Sequence, residues 1–172
     1  MPNKKKADTS WITEDLIDAL AWTESKHKNT PEDAYNKISG AAGKYQWTPK
    51  FYKEGADIGF GVDSGAFDPY DEKEARKRTK QYLEGMQKYY PDWEPEDVLM
   101  AYNWGHSNVR DWKSGKLKLE DYMNENEWQR QKVSEAMNYP KLTIKNLIDQ
   151  PWQETVSEEE LMGSDPFPST IK

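Results

Sequence analysis

Glu24 stands four residues after Leu20 and seven after Ile17, so in a helix its carboxylate shares a face with the apolar stripe Leu16, Ile17, Leu20 and Ala21. A carboxyl facing inward loses water. Desolvation disfavours its charged form, and a carboxyl with a raised pKa can hold a proton near neutral pH and deliver it to a leaving group. Spacing alone leaves a second reading open, in which a helix-end glutamate swings out to solvent, the commoner fate of this residue type. Absent residue types bound the other chemistries. Zero cysteines exclude a thiol nucleophile, a disulfide and a Cys-rich zinc site, and two histidines, His27 and His106, are too few for a dedicated metal cage. Neither a metal nor an organic cofactor is therefore expected. Asp57, Asp63 and Asp68 could partner Glu24 as a second carboxylate, but loop solvation accounts for each equally well.

The elements that must position Glu24 read as helices. Thr13 can cap a helix that carries Glu14 and Asp15 in its first turn. Thr30-Pro31 and Thr48-Pro49 each set a cap residue before a proline at the first helical position, and predict two further starts. A long charged helix is expected from near Asp71 to Tyr90, stopped by Pro91, and another from Pro95 to Gly105. One more is expected over Trp128 to Met137. Between Gly55 and Phe67 the glycines at 55, 59, 61 and 65 indicate loop or a short hairpin, the one place where strand is plausible.

A chain of 172 residues suits one domain with a real core. The net charge of −7 argues against a sequence-independent nucleic-acid binder, which needs a basic stripe, and no membrane span is apparent. Eight Trp and ten Tyr supply core, and by general chemistry also faces for sugar rings. The acidity is concentrated at one end: residues 149–172 carry net −5, with Pro151, the run Glu158-Glu159-Glu160 and Pro166-Phe167-Pro168, a composition that discourages regular structure. The expected organisation is a polar arm over 1–10, one mainly α domain over 11–147, and an acidic tail over 148–172 that is either solvated or docks on a larger assembly.

Three motifs in order then carry a resemblance. Ala21-Trp22-Thr23-Glu24-Ser25 resembles the Glu-Ser motif that ends the first catalytic helix of soluble-type lytic transglycosylases, which share a fold with goose-type lysozymes. Gly40-Ala41-Ala42-Gly43-Lys44-Tyr45-Gln46-Trp47-Thr48-Pro49 resembles that family's Gly-Ala-x-Gly-Leu-Met-Gln-x-x-Pro segment. Ala101-Tyr102-Asn103-Trp104-Gly105, continued by Asn108-Val109, resembles its Ala-Tyr-Asn-Ala-Gly. With flanking helices the resemblance covers residues 11–140.

It implies a lysozyme-like fold with little strand and a substrate cleft. It also implies that Glu24 protonates the glycosidic oxygen between N-acetylmuramic acid and N-acetylglucosamine and then acts as base. The sugar's own 6-hydroxyl attacks, giving a 1,6-anhydro end, so one protein carboxylate suffices where most glycosidases use a pair. Gln46, Tyr102 and Asn103 are carried over as substrate-binding residues, with Tyr45 and Ser39 beside them. Departures are Lys44 and Tyr45 for a leucine and methionine, His106 for a proline, and Lys37 where the family sets a cleft serine, Ser39 standing next to Gly40 instead. Trp47 and Trp104 read as core in preference to sugar platforms. A muramidase of the same fold and a structural protein that has lost activity are the alternatives. The basic start, Met1 to Lys6, is not followed by the apolar run of a signal peptide. The expectation is therefore an enzyme carried in a bacteriophage particle, with virion or tail proteins as partners of the acidic tail and peptidoglycan strands as substrate.

Overall fold

The computed structural model describes residues 5–153, and among them the fold is helical. Thr13 caps α1 (Glu14–Ser25), accepting from the Leu16 amide at 3.2 Å, and Lys26 and His27 end the helix in the left-handed region at φ 55° and 61°. The apolar stripe of α1 is buried: Leu16, Ile17, Ala19, Leu20 and Ala21 are each at most 2 % exposed. Thr48-Pro49 opens α2 (Pro49–Tyr52), a single turn. Thr30-Pro31 does not start a helix. Its residues form one turn closed by Thr30 carbonyl bonds from Asp33 and Ala34, because the chain must reverse at once to bring Gly43 onto the Ala34 carbonyl at 2.9 Å.

The charged helix appears as α3 (Glu72–Tyr89), capped by Asp71, and Pro95 opens α4 (Pro95–Trp104) behind a capping box of Glu94 and Asp97. Two short helices escape the sequence reading, α5 (His106–Lys113), which restarts after Gly105, and α6 (Leu119–Glu125). The last helix is far longer than expected: α7 spans Glu127–Asp149 and passes through Pro140. A proline there removes a helical hydrogen bond at a cost of about 3 kcal/mol. Burial of Val133, Ala136, Tyr139 and Thr143 along one face outweighs it. The helix closes at Gln150 (φ 45°), past residue 148 where the tail was expected to begin, and Trp152 still packs, its ring 5.1 Å from His27 and 6.2 Å from Trp22. The acidic run Glu158–Glu160 and the Pro166–Pro168 segment lie outside the described residues.

No strand forms over residues 55–67. That segment is loop, held because the buried Arg78 guanidinium donates to the carbonyls of Asp63 and Gly65 at 2.8 and 2.9 Å and lies over the Phe67 ring. The antiparallel bridges seen are Tyr35 with Ala42 and Ala42 with Trp47. They close a tight turn over 43–46, and Trp47 beneath it is core, its indole N–H donating to Thr79 of α3 at 3.1 Å. Trp104 is core as well, edge-on to Tyr122. No helix among the described residues is long and apolar enough to cross a membrane.

Gly43 is the backbone constraint in this turn. It sits at φ 79°, and a Cβ there would run into the Pro69 carbonyl. Gly43→Ala is expected to cost about 2–4 kcal/mol, read as a lower midpoint in urea unfolding with an unchanged slope. A loss within ~0.5 kcal/mol, the range of ordinary surface changes, would show that the turn does not bear this load.

Candidate active site

Glu24 reaches its place because two side chains beside it bind the last turn of α1 to other elements. Thr23 accepts at its hydroxyl from Thr143 (3.2 Å) and from the Asn146 amide (2.9 Å), both on α7, while donating to the Ala19 carbonyl. The Ser25 hydroxyl lies 2.8 Å from the Lys44 carbonyl, and Asn29 accepts from the Lys44 amide at 2.9 Å, so the 43–46 turn is pinned to the end of α1. Glu24 lies between these two ties. It opens on a cleft of about 340 Å³ whose other lining residues are Thr23 on α1, Asn103 on α4, and Ser134, Glu135, Asn138, Tyr139 and Leu142 on α7.

The Tyr139 hydroxyl donates to Glu24 Oε1 at 2.6 Å. Tyr139 is itself 6 % exposed and stacks on Tyr102 at 6.5 Å, and Tyr102 donates to the Tyr45 carbonyl at 2.7 Å. Burial pushes both phenols well above their ordinary range, and the neighbouring Glu24 charge adds to this, so both remain neutral donors. Glu24 is accessible from the cleft, yet protein surrounds most of its carboxyl. Desolvation therefore dominates and raises its pKa to about 7, against the smaller opposing effects of the Tyr139 bond and the Lys132 charge, with Glu135 adding to the rise. Its position at the negative end of the α1 dipole acts in the same direction. A carboxyl of this kind exchanges a proton near neutrality, the property a general acid needs.

Of the residues expected from sequence, Glu24 and Asn103 line the cleft, and Tyr102 stands directly behind Tyr139. Asn103 lines the cleft, and its Oδ1 is buried with no hydrogen-bond partner among the described residues. The Tyr45 side chain is fully buried, its hydroxyl accepting from Arg76 at 3.2 Å, so it cannot touch a substrate; its contribution is the backbone carbonyl that holds Tyr102. Gln46 is on a turn at φ 53°, and its amide nitrogen donates to the carbonyls of Ala34 and Gly43 at 3.2 and 2.9 Å. Ser39 is exposed, its hydroxyl accepting from the Ala41 amide, and neither it nor Gln46 lines the cleft. Asp57, Asp63 and Asp68 likewise lie outside, the first and last capping their own turns and Asp63 paired with Lys77. The residue missed is Tyr139, together with the wall of α7 around it. The helix expected from sequence stops at Met137, two residues short of the tyrosine, whereas α7 runs on through Tyr139 and Pro140 to Asp149.

The Tyr139 hydroxyl stabilises the charged form of Glu24, so deleting it raises the carboxyl pKa. In Tyr139→Phe the Glu24 carboxyl carbon, followed by NMR, is expected to titrate about one unit above the wild type, in line with the loss of a charge-assisted hydrogen bond. A midpoint equal to or below the wild-type value would contradict the assigned bond.

Against known families, the transglycosylase SLT domain matches residues 1–124. No curated protein and no solved structure matches the chain. The match takes in Glu24, the 43–46 turn and Asn103, and stops just short of α7, the helix that completes the cleft. That match spans most of the chain, and the chain belongs to the transglycosylase SLT family of lytic transglycosylases acting on peptidoglycan.

Proposed function

We propose that this chain cleaves the glycosidic bond between N-acetylmuramic acid and N-acetylglucosamine without water, leaving 1,6-anhydromuramyl ends. The observation that carries this is Glu24, a carboxyl whose pKa of about 7 lets it give and then retake a proton in one cleft. The protonated Glu24 donates to the glycosidic oxygen, and the carboxylate so formed accepts the proton of the muramyl 6-hydroxyl as that oxygen closes on the anomeric carbon. Tyr139 holds the carboxyl in place throughout. The unpartnered Asn103 Oδ1 suits a sugar acetamido N–H, and Gln46 and Ser39 remain substrate contacts only for parts of the strand beyond the cleft.

Hydrolysis is the second reading, favoured by one feature: Glu135 lines the same cleft and could activate a water as a second carboxylate. It is paired with Lys132 at 3.2 Å, which favours a rim role over a catalytic one. Delivery to the wall in a phage particle is also part of the proposal. The net charge of −7 gives no attraction to an anionic wall, so a carrier suits this chain better than free diffusion.

Mass spectrometry of soluble products from purified peptidoglycan separates the readings. Wild type is expected to release anhydromuropeptides, and Glu24→Gln to fall by at least ~100-fold, the contribution of a positioned acid and base. Reducing muramic ends would establish hydrolysis. Anhydro products from Glu24→Gln at the wild-type rate would contradict the assignment.

A further inference from the structure

A cluster of aromatic rings reaches the surface away from the catalytic carboxyl. The Phe60 ring lies 4.8 Å from His106 and 5.3 Å from Tyr89, both edge-on, and Tyr89 is 69 % exposed. Beneath them Tyr90 stacks flat on the buried Trp93 at 3.8 Å, so the cluster rests on a rigid base.

Three observations indicate that these rings serve a ligand. The first is backbone strain. Gly59, Phe60 and Gly61 all lie in the left-handed region, Phe60 at φ 56°, where a bulky residue is a genuine outlier costing on the order of 1 kcal/mol or more and glycine would cost nothing. The side chain is held against backbone preference, partly buried among the rings of Tyr82, Tyr89, Tyr90 and His106. Gly85 of α3 makes this possible, since a Cβ there would occupy the space of the Phe60 carbonyl. The second is continuity with the cleft. His106 follows Asn103 by three residues, so their Cα atoms are at most about 11 Å apart, and Phe60 also packs on Tyr82, whose ring lies 5.9 Å from Tyr102, behind Tyr139. The third is charge. Arg110 stands exposed on α5, one turn beyond His106, bonded through Nε to Asp111. A guanidinium carries five N–H donors in all, so further donors suit a carboxylate.

We propose that Phe60, Tyr89 and His106 form a second glycan platform. It grips a peptidoglycan strand at sugars remote from the bond being cut, with Arg110 taking a carboxylate of the lactyl or stem-peptide substituents. The inference rests on the reading of this chain as a peptidoglycan-cleaving enzyme and adds where the polymer lies. Aromatic faces stack on the apolar faces of sugar rings, and a strand long enough to occupy both sites gains affinity from each without new chemistry. Short fragments that fill only the cleft gain nothing from it.

The test uses Tyr89→Ala and Arg110→Ala in the full chain, since both residues are exposed and neither lines the cleft. Binding to insoluble sacculi is measured by co-sedimentation in a Glu24→Gln background, and turnover is measured on sacculi and on a short soluble muropeptide. Tyr89→Ala is expected to weaken sacculus binding about 5- to 10-fold, the loss of one stacking ring, with turnover of the short fragment unchanged within about twofold. Arg110→Ala is expected to weaken binding less, and to abolish most of its salt dependence. Unchanged sacculus binding in both variants would overturn the platform, as would equal losses on both substrates, which mark a structural role, or a concentration-dependent dimer that Tyr89→Ala dissolves. If wild type cuts neither substrate while sacculus binding still depends on Tyr89, the catalytic reading fails and the platform stands.

Discussion

Everything in this domain serves a single unfavourable placement, a carboxyl desolvated at the C-terminal end of a buried helix. Burial raises the Glu24 pKa to about 7, and the helix end, where unpaired carbonyls point, disfavours its charge further. The sign of the consequence for stability follows from that shift. The folded-state pKa lies above the unfolded one, so the fold gains most from this group below the ordinary carboxylate range and loses that gain as pH rises through about 7. The size is bounded at roughly 3 kcal/mol and is reduced by the opening to the cleft. Such a placement suits a group that gives and retakes a proton at neutral pH.

The rest of the fold keeps that carboxyl from escaping to water. Thr23 and Ser25 flank it and are bonded to α7 and to the 43–46 turn respectively, so the last turn of α1 cannot rotate Glu24 outward. Tyr139 supplies the donor that orients it, and Tyr102 and the Tyr45 carbonyl lock Tyr139 from behind. The turn depends in its own right on Gly43 against Pro69, and on Arg76, which links Tyr45 to Glu14 and Asp18 of α1. Ser25, Gly43, Tyr45 and Tyr102 thus support their neighbours, while Glu24 and Asn103 line the cleft.

Much of this was legible in the residues. The cap at Thr13, the buried stripe, Pro49, Asp71 and Pro95 all mark real helix starts, because each satisfies an orphan backbone group or presets a dihedral locally. The register of Glu24 with Leu20 left both an inward and a solvent-facing carboxylate open, and the resemblance of the Glu-Ser motif favoured the inward one that the fold shows. Three things were not. Thr30-Pro31 carries a helix-start signal but forms a turn, because the long-range pairing of Ala34 with Gly43 overrides it. The last helix was expected to stop at Met137, but tertiary packing of α7 carries it on through Pro140, and so Tyr139, the closest partner of Glu24, stayed hidden. Tyr45 looked like a substrate contact because it adjoins Gln46, and only the fold shows that its ring points into the core.

The central claim is that proton transfer by Glu24 at neutral pH drives bond cleavage. The pH dependence of kcat/KM on a short soluble muropeptide, across pH 4 to 9, tests it most directly. The account predicts a basic limb with an apparent pKa near 7, falling as the acid loses its proton. Full activity to pH 9, or a decline centred on the ordinary carboxylate range near 4.5, would show that Glu24 is not held protonated by its surroundings and would contradict the account.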